Sequence, residues 1–494
     1  MSVINKGLII FLLIAACLEL NQLQAQNLTS SPYSRFALGD PNNQSFTRYT
    51  GMGGSGIAVA HPHFLNSLNP ATYGALNFTA YQAGLRLSSV KMENNSGSQV
   101  SNNASLAYFA LGFPALSRKW GMGFGLLPYS NVGYKIEQTL ENSETPASRF
   151  YEGSGGLNQF YFSNGFNLSP ALKLGVNTSY LFGVIEQDRS IEFNNFNYFN
   201  TRIVNSTSVG SFHFNFGLHY TFDSLGLSPS DSLLMFDKRI KLNADSVSTL
   251  KKAIAASTSE EEKNVFKSAL SSAEQAISED KKQRALVRNR KAKGDWSLSA
   301  GLIFSPKLNL DAKESVIAYN FKYATGTERE VIRDTIENTE SVKGKISLPL
   351  SAGVGLSMRK GNKWLINIDY TLQNWQDFRY FDRTDSLSDS WKIAAGVQYT
   401  PNDRAIKSYW KAMQYRAGFN YSQTFLQLNE SRLNEYGISL GLGLPVKRVG
   451  TTVHFAAEAG MRGTVDNNLV RENYLRFSLG FTLNDRWFIK PRYD

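Results

Sequence analysis

Residues 208–222 read SVGSFHFNFGLHYTF. Phe212, Phe214, Phe216, Leu218, Tyr220 and Phe222 share one parity, and His213, Asn215, Gly217, His219 and Thr221 share the other. Period two is the signature of a β-strand with unlike faces. The same alternation recurs late in the chain. Leu475, Phe477, Leu479, Phe481 and Leu483 oppose Arg476, Ser478, Gly480, Thr482 and Asn484; Trp391, Ile393, Ala395, Val397 and Tyr399 oppose Lys392, Ala394, Gly396, Gln398 and Thr400. It predicts strands near 78–91, 103–114, 119–136, 157–169, 171–187, 206–222, 295–307, 343–358, 363–374, 389–400, 413–427, 433–444, 449–461 and 473–488. Each is long enough to cross a bilayer at a tilt.

A soluble sandwich would bury the apolar face of such strands. A membrane barrel would turn it to lipid and enclose the polar face. Two observations favour the barrel. The connections alternate between short (PALSRK, SPAL, RKGN, PVKRV) and long and polar (137–156, 188–205, 322–341, 376–388). Tryptophans cluster at strand ends: Trp120, Trp296, Trp364, Trp410 and Trp487 at the short-turn end, Trp375 and Trp391 at the other. Amphipathic rings collect there in an interfacial belt. The expected fold is all-β, a transmembrane antiparallel barrel of about fourteen strands, residues 78–494. With an even strand count, the short turns are periplasmic. Lipid meets Phe214 and Phe481, while His213, His219, Asp369, His454, Glu458 and Arg476 are lumen residues.

Three segments break the alternation. Residues 1–25 read as a secretory signal, with Lys6 before the apolar run Leu8–Ala16 and a cleavage site after LQA at Ala25. The rival reading is lipidation at Cys17 after IAA. Residues 26–77 are rich in Gly, Asn, Pro and Ser, have no sustained period, and are long enough to plug a wide barrel. Residues 237–293 have helical spacing: Val247, Leu250 and Ile254 form one stripe, and Phe266, Leu270, Ala273 and Ile277 another. This insert falls between strands six and seven, on the periplasmic side by strand counting. It reads either as a decoration across the barrel mouth or as a docking surface for a periplasmic protein or acidic lipid head groups.

Composition adds limits. The 494 residues are 42% hydrophobic and 13% aromatic with 39 glycines, and the mean hydropathy is −0.29. Half-apolar strands are compatible with such values. The net charge of +11 would suit nucleic acid, but an exported chain rarely meets any, and no nucleic-acid partner is expected. The single cysteine lies in the signal, so a disulfide framework, a thiol nucleophile and a cysteine metal site are excluded from the mature chain. His61 and His63 lack a third ligand nearby and make a poor metal site. No Ser/His/Asp spacing, acidic dyad or phosphate loop stands out. Neither an enzyme nor a cofactor is expected.

The Gly-rich GMGGSGIAVA, then Asn69-Pro70-Ala71, then the run of barrel strands resembles the FadL family of outer-membrane transporters for long-chain fatty acids and other hydrophobic compounds. SPYSRFALGD looks like a branch of that family common in Bacteroidota. The resemblance covers nearly the whole mature chain in architecture, while its motifs lie before residue 80 and the helical insert departs from it. It implies that residues 26–77 form a hatch hinged at Asn69, Pro70 and Ala71. It also implies a side window at a kink in the third strand, where PYSNVGY places Pro128 and Tyr129. An ordinary bulge near the rim would also explain this proline. The implied activity is passive uptake of a hydrophobic small molecule from the bilayer face. The alternative is a non-transporting barrel serving as a subunit or partner of a secretion or assembly complex, as FadL-like barrels associated with type IX secretion resemble.

Overall fold

The computed structural model describes residues 30–485 and 487, apart from 117–118, 141–144, 196, 223–228, 258, 294–295, 325, 328, 386, 404, 406–407 and 447–450. The signal segment 1–25, with Cys17, lies outside the described residues.

The alternating segments form β1 (Thr79–Asn94), β2 (Gly97–Leu116), β3 (Trp120–Leu140), β4 (Ala147–Asn167), β5 (Leu172–Phe193) and β6 (Asn200–Phe222). Then come β7 (Trp296–Ser305), β8 (Leu308–Tyr323), β9 (Glu330–Leu348), β10 (Ser351–Lys360), β11 (Trp364–Gln373) and β12 (Ser390–Tyr399). The last are β13 (Gln414–Leu428), β14 (Ser431–Val446), β15 (Thr451–Arg462) and β16 (Arg471–Asp485). Pairing is antiparallel throughout, and β16 closes on β1 from Asp485↔Thr79 to Arg471↔Glu93.

The closed barrel has fourteen staves, because β7 with β8 makes one and β9 with β10 another. Strand β6 pairs with β7 through 216–222 and with β8 through 200–209. The two broken staves are interrupted opposite each other, at Pro306-Lys307 and Pro349-Leu350. Proline offers no amide to the ladder. The strand expected over 343–358 therefore spans two elements, and most of the loop expected at 322–341 is a β-hairpin. Alternation was blind to it because residues 331–338 are exposed on both faces, and no single buried face imposes a period there.

The apolar parity points outward. On β14, Ile438 and Leu440 are 62% and 63% exposed, whereas the intervening Ser439 is fully buried. In β6, Phe212, Phe216 and Phe222 are exposed and His219 is buried. Such a contiguous apolar surface would be anomalous in water. Against hydrocarbon it is the required one. Trp364 packs on Tyr399 at 4.4 Å and Trp391 on Tyr421 at 5.4 Å, as belt residues do. Trp375 departs from the expectation. It stacks on Phe425 at 4.3 Å inside the long-loop end, 6% exposed, and gives its indole N–H to Gln373. Its segment folds back over the lumen, so its place near a strand end did not make it a belt residue.

Residues 30–77 occupy the interior in two layers. Tyr33, Ala37 and Leu38 join Val132, Leu157, Leu181, Trp375, Phe378 and Phe425 in an apolar cluster at the long-loop end. Phe46, Tyr49, Met52 and Tyr73 join Tyr108, Leu127 and Tyr161 nearer the short turns. The wall admits the plug backbone because it carries glycine where the two touch. A Cβ at Gly418 would overlap Gly53, and one at Gly175 would overlap Pro70 and Ala71.

The insert folds as α1 (Pro229–Ala256) and α2 (Glu260–Lys293). It begins at Pro229 rather than Asp237; proline suits a first helical turn, where its missing N–H costs nothing. Val247, Leu250 and Ile254 face inward with Phe266, Leu270, Ala273 and Ile277, all half-buried. The ion pairs Arg239–Asp280, Lys251–Glu274 and Arg284–Asp237 tie the helices together.

Candidate functional site

The wall is split beside Pro128. Strands β2 and β3 pair only from Phe109↔Leu126 to Leu116↔Trp120. Beyond that point, the described residues 97–108 pair with β1 alone. Residues 127–140 pair on the other side with β4, with a register shift between Pro128 and Ser130 that leaves Tyr129 unmatched. The edge of β3 that β2 has left is taken by the plug. Asp40 and Pro41 pair with Asn131 and Ser130. The Ser31 and Asn42 amides donate to the carbonyls of Gly133 (2.8 Å) and Tyr129 (3.0 Å), and the Ser130 hydroxyl donates to the Leu38 carbonyl at 2.6 Å. A freed strand edge needs partners for its backbone groups, and here residues 31–42 of the plug supply them.

Behind the split lies a lumen cavity of about 410 Å³. Asn103, Ser105 and Asn131 line it where it borders the split, and Arg86, Lys392 and Asp369 line it deeper in. Two charge clusters form its walls. Arg462 donates to both carboxylate oxygens of Asp40 (2.9 Å each), to Glu472 (2.8 Å) and to the Ser31 hydroxyl (2.7 Å). Arg476 lies 3.6 Å from both Glu435 and Glu458 and stacks on Tyr474 at 3.8 Å. Charges in a low-dielectric interior persist when paired in this way. The cavity is therefore mixed, with these paired charges beside apolar side chains such as Val90, Ile303, Trp391 and Phe425.

The residues singled out by alternation all project inward, but not into one site. Glu458 and Arg476 belong to this cavity, with Asn420 donating to Glu458 at 3.1 Å. Asp369 accepts from the plug amides of Gly56 (2.6 Å) and Ile57 (2.9 Å). His219 bonds the Ala58 carbonyl at 3.1 Å. His213 lies 6.3 Å from the ring of Tyr129. His454 sits nearer the short turns, between Arg416 (3.3 Å) and Thr482 (3.1 Å). Asn69 is an anchor in the structure. Its Oδ1 caps the turn Pro70–Ala75 by accepting from Ala71, and its Nδ2 donates to the carbonyls of Ile57 and of Leu218 in the wall. His63 donates its backbone amide to His61 Nδ1 at 3.1 Å, and no group of three metal-ligating side chains occurs among the described residues.

Sequence reasoning passed over Asp40, Arg462, Glu472 and Glu435. Arg462 and Glu472 lie at strand ends, where alternation fades. Arg86 and Arg416 could have been found by parity, since Arg86 lies between the outward Leu85 and Leu87.

A closed fourteen-stave barrel with an N-terminal plug is the fold of the FadL-like outer-membrane barrels. Among solved structures, a FadL homologue from Pseudomonas aeruginosa matches with a TM-score of 0.53 at 11% identity, over 90% of this chain and 98% of that one. The toluene transporter TodX from P. putida matches with a TM-score of 0.50 at 12% identity, over 91% of this chain and all of that one. The family model BamG matches residues 4–282 and 252–494, and the chain belongs to that family, which is FadL-like. No curated protein matches the sequence.

Proposed function

We propose that the barrel is a passive outer-membrane channel for hydrophobic small molecules that releases them sideways. The single observation that carries this reading is the split between β2 and β3 beside Pro128 and Tyr129, whose freed edge is covered, among the described residues, by plug residues alone; moving them aside would join the lumen to the bilayer. The solute is captured among the extracellular loops, passes between wall and hatch, and leaves through the split once the hatch turns about Asn69-Pro70-Ala71. An apolar solute then avoids water at each stage, and no energy source is needed. The mixed lining of the cavity, charged groups beside apolar side chains, suits a molecule with a polar end and an apolar body. The shared fold of the P. putida toluene transporter is consistent with this reading.

A second reading, a structural subunit of an outer-membrane complex, is favoured by two observations. The lumen walls are charged, and the helical hairpin α1–α2 has no counterpart in the resemblance to FadL. Native mass spectrometry of the detergent-purified barrel separates the two. A bound fatty acid or hydrocarbon supports transport. A stoichiometric protein partner, lost when residues 229–293 are deleted, supports the subunit and overturns the channel if no small molecule is bound.

A further inference from the structure

A second cavity, of about 420 Å³, opens between plug and wall at the short-turn end. Arg48, His61, His63 and Phe64 of the plug line it, together with Arg359 and Thr400 of the wall. Its electrostatics invert those of the first cavity. There Arg462 and Arg476 each lie against two carboxylates. Here, among the described residues, none of Arg48, Arg359 and the adjacent Arg416 pairs with one. Arg416 spends its donors on Gln398, Gln414 and His454. Arg359 donates to the Ala60 carbonyl at 2.9 Å. The one acid among the described residues of the lining, Asp403, accepts from Asn362 at the rim.

Arg48 is the least provided for. It is 3% exposed and stacks over Phe64 at 4.1 Å, yet its Nε and Nη1 have no hydrogen-bond partner. The Thr400 hydroxyl, also buried and on the same cavity, has none either. Burying a guanidinium without acceptors is costly. Burial, opposed by Tyr49 and reinforced by Arg359, pulls the Arg48 pKa down to about 10, so it stays charged at neutral pH. Burial first, and then the field of Arg48, lowers His61 and His63, leaving them neutral hydrogen-bonding groups.

We propose that this cavity is an anion site that takes a phosphate group, bound between the Arg48 and Arg359 guanidiniums with Thr400 as a further donor. Phosphate supplies several acceptor oxygens in the geometry a guanidinium fork matches. The cavity has room for a head group as well as for the bare ion.

The test is calorimetric titration of the detergent-purified full chain with two probes, inorganic phosphate and dihexanoyl phosphatidylglycerol below its micelle concentration. One site per chain is expected, weakening with added salt. Arg359→Gln and Arg48→Met should each weaken it at least tenfold, since a charge-assisted bond of this kind is lost. Arg359→Gln keeps the result interpretable if Arg48→Met fails to fold. Binding of phosphate alone identifies a free anion, and tighter binding of the lipid identifies a head group. Failure of both probes to bind, or binding that neither variant weakens, overturns the proposal.

Discussion

Replacing Arg462 by methionine should release the outer part of the plug from the split wall. Its guanidinium ties the plug residues Ser31 and Asp40 to Glu472 of β16, with four contacts between 2.7 and 2.9 Å. Ser31 closes the ring by donating to Glu472 at 2.6 Å. The side chains of Arg462, Asp40 and Glu472 are 13%, 18% and 4% exposed. Removing one partner from such a buried cluster costs about 3–5 kcal/mol, and here it also leaves two carboxylates facing each other. If that cost falls on the local opening of residues 31–42, the opening equilibrium rises by a factor of about 10²–10⁴. Amide hydrogen exchange reads this directly. The Ser31 and Asn42 amides, bonded to Gly133 and Tyr129, should exchange about a hundredfold faster, while Leu440 in the closed wall keeps its rate. Arg462→Lys, which keeps the charge but loses the fork, should fall between. Unchanged exchange at Ser31 and Asn42 in Arg462→Met would refute the view that this cluster latches the plug.

Asp369→Asn should weaken the two charge-assisted bonds to Gly56 and Ile57 by about 2 kcal/mol together, seen as faster exchange of those two amides. Gly175→Leu forces a side chain into Pro70 and Ala71 and should abolish the folded, heat-modifiable band on electrophoresis. Trp375→Ala removes a buried indole from the outer cluster and should cost about 3–5 kcal/mol, read as a lower thermal midpoint and loss of the most blue-shifted fluorescence component. Spin labels at Phe214 and Phe481 should be relaxed by oxygen and shielded from a water-soluble nickel chelate; an aqueous response would contradict the lipid-facing assignment.

Some of the site was legible beforehand. Parity alone placed His219, Asp369, Glu458 and Arg476 inside, because a strand that separates oil from a lumen must alternate. Asn69-Pro70 was recognisable as a turn, because proline restricts the residue before it. The double break at Pro306 and Pro349 was not seen. Each proline taken alone fits a bulge, and only their position across a shared ladder makes them one interruption. Parity also predicted nothing about the outer part of the β8–β9 hairpin, where residues 331–338 are exposed on both faces.

The sequence by itself determined most of the membrane-crossing strands, the face each turns to lipid, the number of staves and the helical stripes of the insert. All of these follow from the periodicity of side chains within one short segment. The tertiary structure decided the split wall, the latch and the two cavities of opposite electrostatic character. Asp40 meets an arginine 422 positions away, and Arg48 owes its lack of a counter-ion to what the surrounding wall omits. Such contacts leave no periodic trace, because chain closure rather than local spacing brings their members together.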